Sequence, residues 1–364
     1  MQKYTNYTYS NKQATTERNE MWALYPELKG INEVLDDDLR IAIIGLGKMG
    51  LLHSAILNML KPGIVKAIVD KSYLVTFGGS RLIKNVKFYR DISKMIHGVE
   101  PDIVYITTPT RSHYPIASQL IEKQISNLFL EKPPTDNSKK ASSLLRKCGS
   151  NHKLMVGLQK RYSATFRHAK KLVEEKTLGK ISSVEAYIKS SDVAAPTSRF
   201  DRLGKGVLLD LGVHLVDLIQ WIFNVEKVEK AAMRKIHTNV DDHFQASLKL
   251  ASGAEALIEV SWSDTSRRLP ETYMKIRGEK GIIEVSEDYL KLDLPGSTKT
   301  ARYKPHYYQG IPQVNLADPE YTLENMHFLH SIHYAKQPIT SLQNTFKTMK
   351  IIDELYEKAR KPID

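Results

Sequence analysis

Apolar residues fall in short, dense runs through the first part of the chain. These runs are "RIAIIG" (40–45), "IVKAIVD" (64–70), "VKFY" (86–89), "DIVYITTP" (102–109), "NLFLEK" (127–132) and "KLMVGL" (153–158). Runs of this length and density predict strands buried on both faces, as in a parallel sheet. Between them, "KMGLLHSAILNML" (48–60) and segments near 91–97, 114–123 and 137–147 carry helical patterns. Strands that alternate with helices predict an α/β fold, a Rossmann-type doubly wound parallel sheet over residues 39–158.

Beyond about residue 160 the pattern changes. "SATFRHAKKLVEEK" predicts a helix and "KISSVEAYIKS" a strand. Later come the strand-like runs "VEKAAMRKI", "HFQASLKLA", "AEALIEVSW", "TYMKIRG" and "GIIEVSE", with short turns such as "ASGAE" and "GEKG" between neighbours. Short connections of that kind predict antiparallel pairing. Two helices are expected near 319–333 and 342–360. Residues 159–364 thus read as an α+β domain with an open, mostly antiparallel sheet. Residues 1–38 read as an extension, in which "TERNEMWALYPELKGINEVL" has the pattern of a short amphipathic helix interrupted at Pro26.

One helix breaks its own apolar pattern. In "GKGVLLDLGVHLVDLIQWIF" (204–223), Asp210, His214 and Asp217 interrupt a run of Leu, Val and Ile. At about 100° per residue they fall within a sector of roughly 60°. Such a stripe is either the wet side of an amphipathic helix or the wall of a cleft that moves protons.

Composition narrows the setting. The net charge is +12, but Lys and Arg are scattered over the chain, with neither an arginine-rich arm nor a zinc-finger spacing. No nucleic-acid partner is expected, although the potential favours an anionic cofactor or substrate. No apolar run reaches the eighteen or so residues of a membrane span, the first twenty residues are polar, and Cys148 is the only cysteine. A cytoplasmic protein is expected, with no membrane partner.

Two motifs carry chemistry. "IGLGKMG" sets Gly45, Gly47 and Gly50 at the spacing of a dinucleotide fingerprint, between a strand and a helix that opens at Lys48 and Met49. Gly45 would make the turn, Gly47 would admit a pyrophosphate, and Gly50 would allow close packing of helix on strand. Asp70 follows 25 residues after Gly45 at the end of the next strand. An acid there accepts from the ribose hydroxyls and repels a 2′-phosphate, which favours NAD; Lys71 and Ser72 beside it keep NADP as the alternative. The second motif, "FLEKPPTDN", places Glu131, Lys132 and Pro133 just after a buried strand, where doubly wound folds bind ligands. Pro133 restricts Lys132 to extended geometry.

The order of "IGLGKMG", "TTPTRSHYPIA", "EKP" and the D-x-x-x-H of the helix resembles the Gfo/Idh/MocA family, over roughly residues 39–362. The resemblance implies NAD(P)-dependent oxidation or reduction at a hydroxyl-bearing carbon of a sugar, cyclitol or nucleotide sugar. It implies that Lys132, Asp210 and His214 are catalytic and touch substrate, and that Thr108, Pro109 and His113 lie near the nicotinamide beside Glu131 and Lys132. Gln159, Arg161 and Tyr162 would border the cleft. His214 is the expected acid–base group, Asp210 is expected to orient its ring and favour the protonated form, and Lys132 to stabilise charge on the substrate oxygen. Asp217 would have a structural or substrate-orienting role. Arg199, Arg202 and Lys205 precede the helix, either as a solvated basic loop or as cations that would suit a phosphate or carboxylate. A homodimer or homotetramer assembled through the open sheet is expected. A non-catalytic dinucleotide sensor and an NAD-dependent glycosidase remain alternatives. Lys205, Pro134 and the extension depart from the family's usual pattern.

Overall fold

The computed structural model describes residues 38–83, 85–197, 206–266, 270–302, 307–311, 314–317 and 319–360. The extension, with its expected amphipathic helix, lies outside them, as do Arg199, Arg202 and Lys205.

The first sheet is built from β1 (Ile41–Ile44), α1 (Lys48–Leu60), β2 (Val65–Val69), α2 (Tyr73–Leu82), β3 (Lys87–Tyr89), α3 (Ile92–Val99), β4 (Ile103–Ile106), α4 (His113–Glu122), β5 (Asn127–Glu131), α5 (Ser138–Lys147) and β6 (Lys153–Gly157). Its order is β3-β2-β1-β4-β5-β6, with every pairing parallel. The direction of winding reverses between β1 and β4, so the crevice at their carboxyl ends is the natural ligand site. The sequence pattern does not show α2. Its run "YLVTFGGSRL" contains two glycines, which weaken a helical reading. The fold needs one of them, because a Cβ on Gly79 would lie 2.5 Å from the Phe88 ring.

The second half contributes α6 (Ala164–Glu174), β7 (Ile181–Lys189), a π-helical turn at Leu208–Gly212 that runs into α7 (Val213–Phe223), and seven further strands. These are β8 (Val225–Arg234), β9 (His243–Leu250), β10 (Glu255–Ser261), β11 (Glu271–Gly278), β12 (Gly281–Ser286), β13 (Tyr289–Leu294) and β14 (Ser297–Arg302). They form an eight-stranded sheet, β14-β13-β12-β11-β7-β10-β9-β8. Only β7 and β10 pair in parallel. A small hairpin of β15 (Tyr307–Ile311) and β16 (Val314–Ala317) precedes α8 (Pro319–His333) and α9 (Leu342–Ala359).

The two faces of the parallel sheet meet different cores. Ile44, Val69, Ile106 and Leu130 join a continuous apolar core that includes α7 and the inner face of the second sheet. Ile43, Tyr105, Phe129 and Met155 point the other way and are covered by Phe328 and Leu329 of α8. One buried ion pair fastens the first turn of the second half to α7. Arg161, in a short 3-10 turn at Gln159–Tyr162, donates through Nε and Nη2 to the two oxygens of Asp217 on α7, at 2.6 and 2.7 Å. Thr348 of α9 donates to the same carboxylate at 2.9 Å.

Removing one member of a buried pair leaves an uncompensated charge. Asp217→Ala is therefore expected to destabilise the protein by about 3–5 kcal/mol, read as a lowered urea midpoint at unchanged slope. A midpoint within error of the parent would show that the pair is dispensable.

Candidate active site

The loop after β1 turns at Gly45, whose φ is +98°. A Cβ on Gly50 would come within 1.9 Å of the Gly45 carbonyl oxygen, so α1 can start this close to the turn only with glycine there. Gly47 is the opposite case, with nothing within 4 Å of the place a Cβ would occupy. That open space faces the first turn of α1, where the N–H groups of residues such as Lys48 and Met49 have no acceptor within the helix. The helix dipole favours negative charge at this point. A pyrophosphate fits the cradle, as expected of these residues.

Asp70 stands beside the cradle. Its carboxylate accepts from Leu46 N at 2.9 Å and from Ser72 N at 2.8 Å, which pins it at the edge of the glycine turn. Across the switch point, the Thr107 hydroxyl donates to the Gly45 carbonyl at 2.7 Å. Thr108 accepts from the Ser112 hydroxyl at 2.8 Å, and Pro109 leads into the single turn before α4. His113 is buried between two carbonyls, Pro133 at 2.9 Å and Thr108 at 2.6 Å. A neutral ring donates to one of them and only an imidazolium to both. Burial, the largest influence, pushes its pKa below the usual value. The loop is thus fastened to the segment after β5 through this ring.

β5 delivers Glu131 and Lys132, and the Lys132–Pro133 peptide bond is cis. Lys132 Nζ crosses to the second half and donates to Asp210 Oδ1 at 2.7 Å and to the Asp210 carbonyl at 2.9 Å. Glu131, expected near the nicotinamide, has both carboxylate oxygens taken up within the protein. Its carboxylate is buried, accepts from Lys132 N at 3.0 Å and lies 2.8 Å from His53 Nε2 on α1. A buried anion must be partnered, and these two donors meet that demand in the interior.

Asp210 lies within the π-helical turn, and His214 follows in α7. The start of this segment is held by Asp241, which accepts from Gly206 N and Leu208 N, each at 3.0 Å. His214 is 5% exposed and its Nδ1 has no hydrogen-bond partner among the described residues. Burial first, then the nearby cations Lys132 and Lys160, keep its pKa well below the usual value. The imidazole is therefore neutral near pH 7. This corrects the expected role of Asp210. Its carboxylate is spent on Lys132, not on orienting an imidazolium, and it is not among the causes of the histidine's shift.

The residues expected to border the cleft are buried. Arg161 is taken up by Asp217 and by the Ile339 carbonyl at 3.0 Å, and Tyr162 is fully buried. Gln159 donates to the Tyr321 hydroxyl at 3.0 Å. Asp217 is correspondingly structural, not part of an open stripe with Asp210 and His214. The residue between them, Lys160, escapes the sequence reading. It lies 2.9 Å from Glu287 and 3.3 Å from Glu320 and is close enough to depress His214. His53 escapes too. Its only sequence signal is a polar residue on the buried side of α1, one turn after Gly50.

Comparison with known proteins agrees with this construction. Residues 39–158 match a family model described as an oxidoreductase family with an NAD-binding Rossmann fold. Residues 166–284 match the GFO/IDH/MocA C-terminal domain. The chain is 27% identical over 259 residues to myo-inositol 2-dehydrogenase of Thermotoga maritima, covering 67% of this chain and 74% of that one. Against glucose-6-phosphate 3-dehydrogenase of Bacillus subtilis the identity is 23% over 355 residues, covering 88% and 96%. The fold superimposes on levoglucosan dehydrogenase in complex with NADH and levoglucosan with a TM-score of 0.76 at 21% identity, covering 88% of this chain and 97% of that chain. With a glycine cradle in the first half and the helix of Asp210 and His214 in the second, the chain belongs to the Gfo/Idh/MocA family of NAD-binding oxidoreductases.

Proposed function

We propose that this oxidoreductase acts on a hydroxyl-bearing carbon of a sugar, cyclitol or nucleotide sugar, with Lys132, Asp210 and His214 as its catalytic residues. The observation that carries the reading is the bridge from Lys132 to Asp210, which sets an ammonium and a carboxylate beside a neutral imidazole at the carboxyl ends of the first sheet. NAD bound in the cradle supplies the hydride acceptor or donor. In the oxidative direction, the His214 imidazole accepts the hydroxyl proton, for which it must start neutral. Lys132 stabilises negative charge as it develops on the substrate oxygen. Asp210 holds the ammonium in place and offers a free lone pair to a neighbouring hydroxyl. In reduction the same groups act in reverse. Relatives named for inositol and for glucose 6-phosphate support a polyol substrate.

A screen of cyclitols, sugars and nucleotide sugars, followed by reduced-nicotinamide absorbance, identifies the substrate. With it, His214→Asn and Lys132→Met should each lower kcat by about 10²–10⁴-fold while leaving the dissociation constant of NADH nearly unchanged. The acid limb of kcat/KM should lie well below 6.5, the usual histidine value. In Lys132→Met the limb should move up, because removing a neighbouring cation favours the imidazolium. Near-normal turnover by His214→Asn would sink the assignment.

The position of Asp70 supports NAD over NADP. NADH should bind tighter than NADPH by about tenfold or more, equivalent to 1.4 kcal/mol, and Asp70→Ser should narrow the gap. Equal affinities in the parent protein would overturn this preference.

We also place the protein in the cytoplasm, because its single cysteine is unpaired and no helix among the described residues is long and apolar enough to cross a membrane. A homodimer or homotetramer through the outer face of the eight-stranded sheet is part of the same reading. Stacked Tyr187 and Tyr273 and exposed Leu257 sit there among paired charges such as Lys275–Glu284 and Arg277–Glu185. Sedimentation equilibrium should show a dimer or tetramer that Tyr273→Glu weakens. A monomer at all concentrations would exclude it.

A further inference from the structure

We infer that His53 is a positioning residue for Lys132, acting through the buried Glu131 carboxylate. His53 sits on α1 with no exposed surface, and its Nε2 lies 2.8 Å from Glu131 Oε1. A carboxylate only accepts, so Nε2 carries the hydrogen. The other Glu131 oxygen accepts from the backbone N–H of Lys132 at 3.0 Å. Glu131 therefore clamps the main chain at the residue whose ammonium reaches Asp210. On its far side, His53 Nδ1 is 3.0 Å from Asn325 Nδ2 on α8, and that amide also donates to the Tyr321 carbonyl at 2.7 Å. Ring contacts with Tyr105, Phe129 and Tyr321, at centroid distances of 5.4, 4.8 and 6.1 Å, fix the tilt of the imidazole.

The result is one line of contacts, Asn325–His53–Glu131–Lys132–Asp210, drawn from α8, α1, the end of β5 and the π-helical turn. Its second member, His53, belongs to the helix whose first turn forms the dinucleotide cradle. The helix that receives the cofactor and the lysine that faces the substrate are thereby held in one frame. A histidine that only filled space in α1 would stabilise the fold without a specific effect at Lys132. A clamp acts on Lys132 selectively.

Acetylation of the full-length protein with the N-hydroxysuccinimide ester of acetic acid, followed by peptide mass spectrometry, separates the two. Lys132 and Lys160 are similarly shielded, at 20% and 18% side-chain exposure, and each is paired with a carboxylate, so Lys160 is the internal control. His53→Asn carries an amide that reaches only the Nδ1 position and abandons Glu131. His53→Gln reaches the Nε2 position and keeps the donor. The Asn variant should raise the Lys132 rate roughly fivefold, the size of one net hydrogen bond, with Lys160 changed by less than about twofold. The Gln variant should stay near the parent. An unchanged Lys132 rate in the Asn variant, or Lys132 and Lys160 rising together, would overturn the inference. Should His53→Asn not fold, Asn325→Ala loosens the same ring from its other side and must give the same selective rise. Its absence would count equally against the clamp. The consequence for turnover rests on the catalytic reading of Lys132, but the labelling does not. A silent His53→Asn and a fully active Lys132→Met are distinct failures.

Discussion

Arg161 and Asp217 meet in the interior with their side chains only 4% and 2% exposed. Each ion costs several kcal/mol to remove from water, and the two-pronged contact, with the hydroxyl of Thr348 added, offsets that cost only in one geometry. α7 cannot rotate about its axis without breaking it. Its rotational setting then decides which residues of the same helical segment face the end of β5. His214 lies three residues earlier, and Asp210 precedes it in the π-helical turn. An interaction away from Lys132 thus determines where His214 and Asp210 project. Asp241 fixes the other end of the segment through two backbone N–H groups, so the helix is held at both ends.

Much of this was legible in the sequence, for identifiable reasons. The glycine spacing reports backbone distances directly, since only glycine tolerates the 1.9 Å approach at position 50. Lys132 was legible because it follows an apolar strand in a fold that binds ligands at strand ends. The stripe of Asp210, His214 and Asp217 was only half legible. A projection at about 100° per residue assumes a regular helix, and the π-helical turn at Leu208–Gly212 breaks that assumption. Periodicity also cannot separate a polar residue facing water from one facing a buried partner. The buried partners of Asp217, Glu131 and Arg161 were missed for that reason, and His53 was passed over. Each of these residues has a partner between 56 and 272 positions away.

The electrostatics of the site differ from what a net charge of +12 would suggest. Lys132 is offset by Asp210, and Lys160 by Glu287 and Glu320. Yet both lysines, standing near a buried ring, still disfavour a third positive charge there. Burial is the larger influence and the cations reinforce it. The site therefore combines fixed ammonium groups with an imidazole that is ready to accept a proton, and it does so without an excess of local charge.

α8 comes from near the end of the chain, yet it covers the first sheet. Phe328 and Leu329 lie over Ile41, Ile43, Tyr105 and Phe129, residues made some two to three hundred positions earlier. During synthesis the first sheet can pair its strands and bury one side under its own helices. Its other side keeps a patch of apolar and aromatic surface until residues 319–333 leave the ribosome. The nascent chain thus carries a sticky, partly covered sheet until that stretch is made, the kind of intermediate on which chaperones act. A ribosome stalled before α8 would release a chain with its nucleotide motif complete and its core open to water.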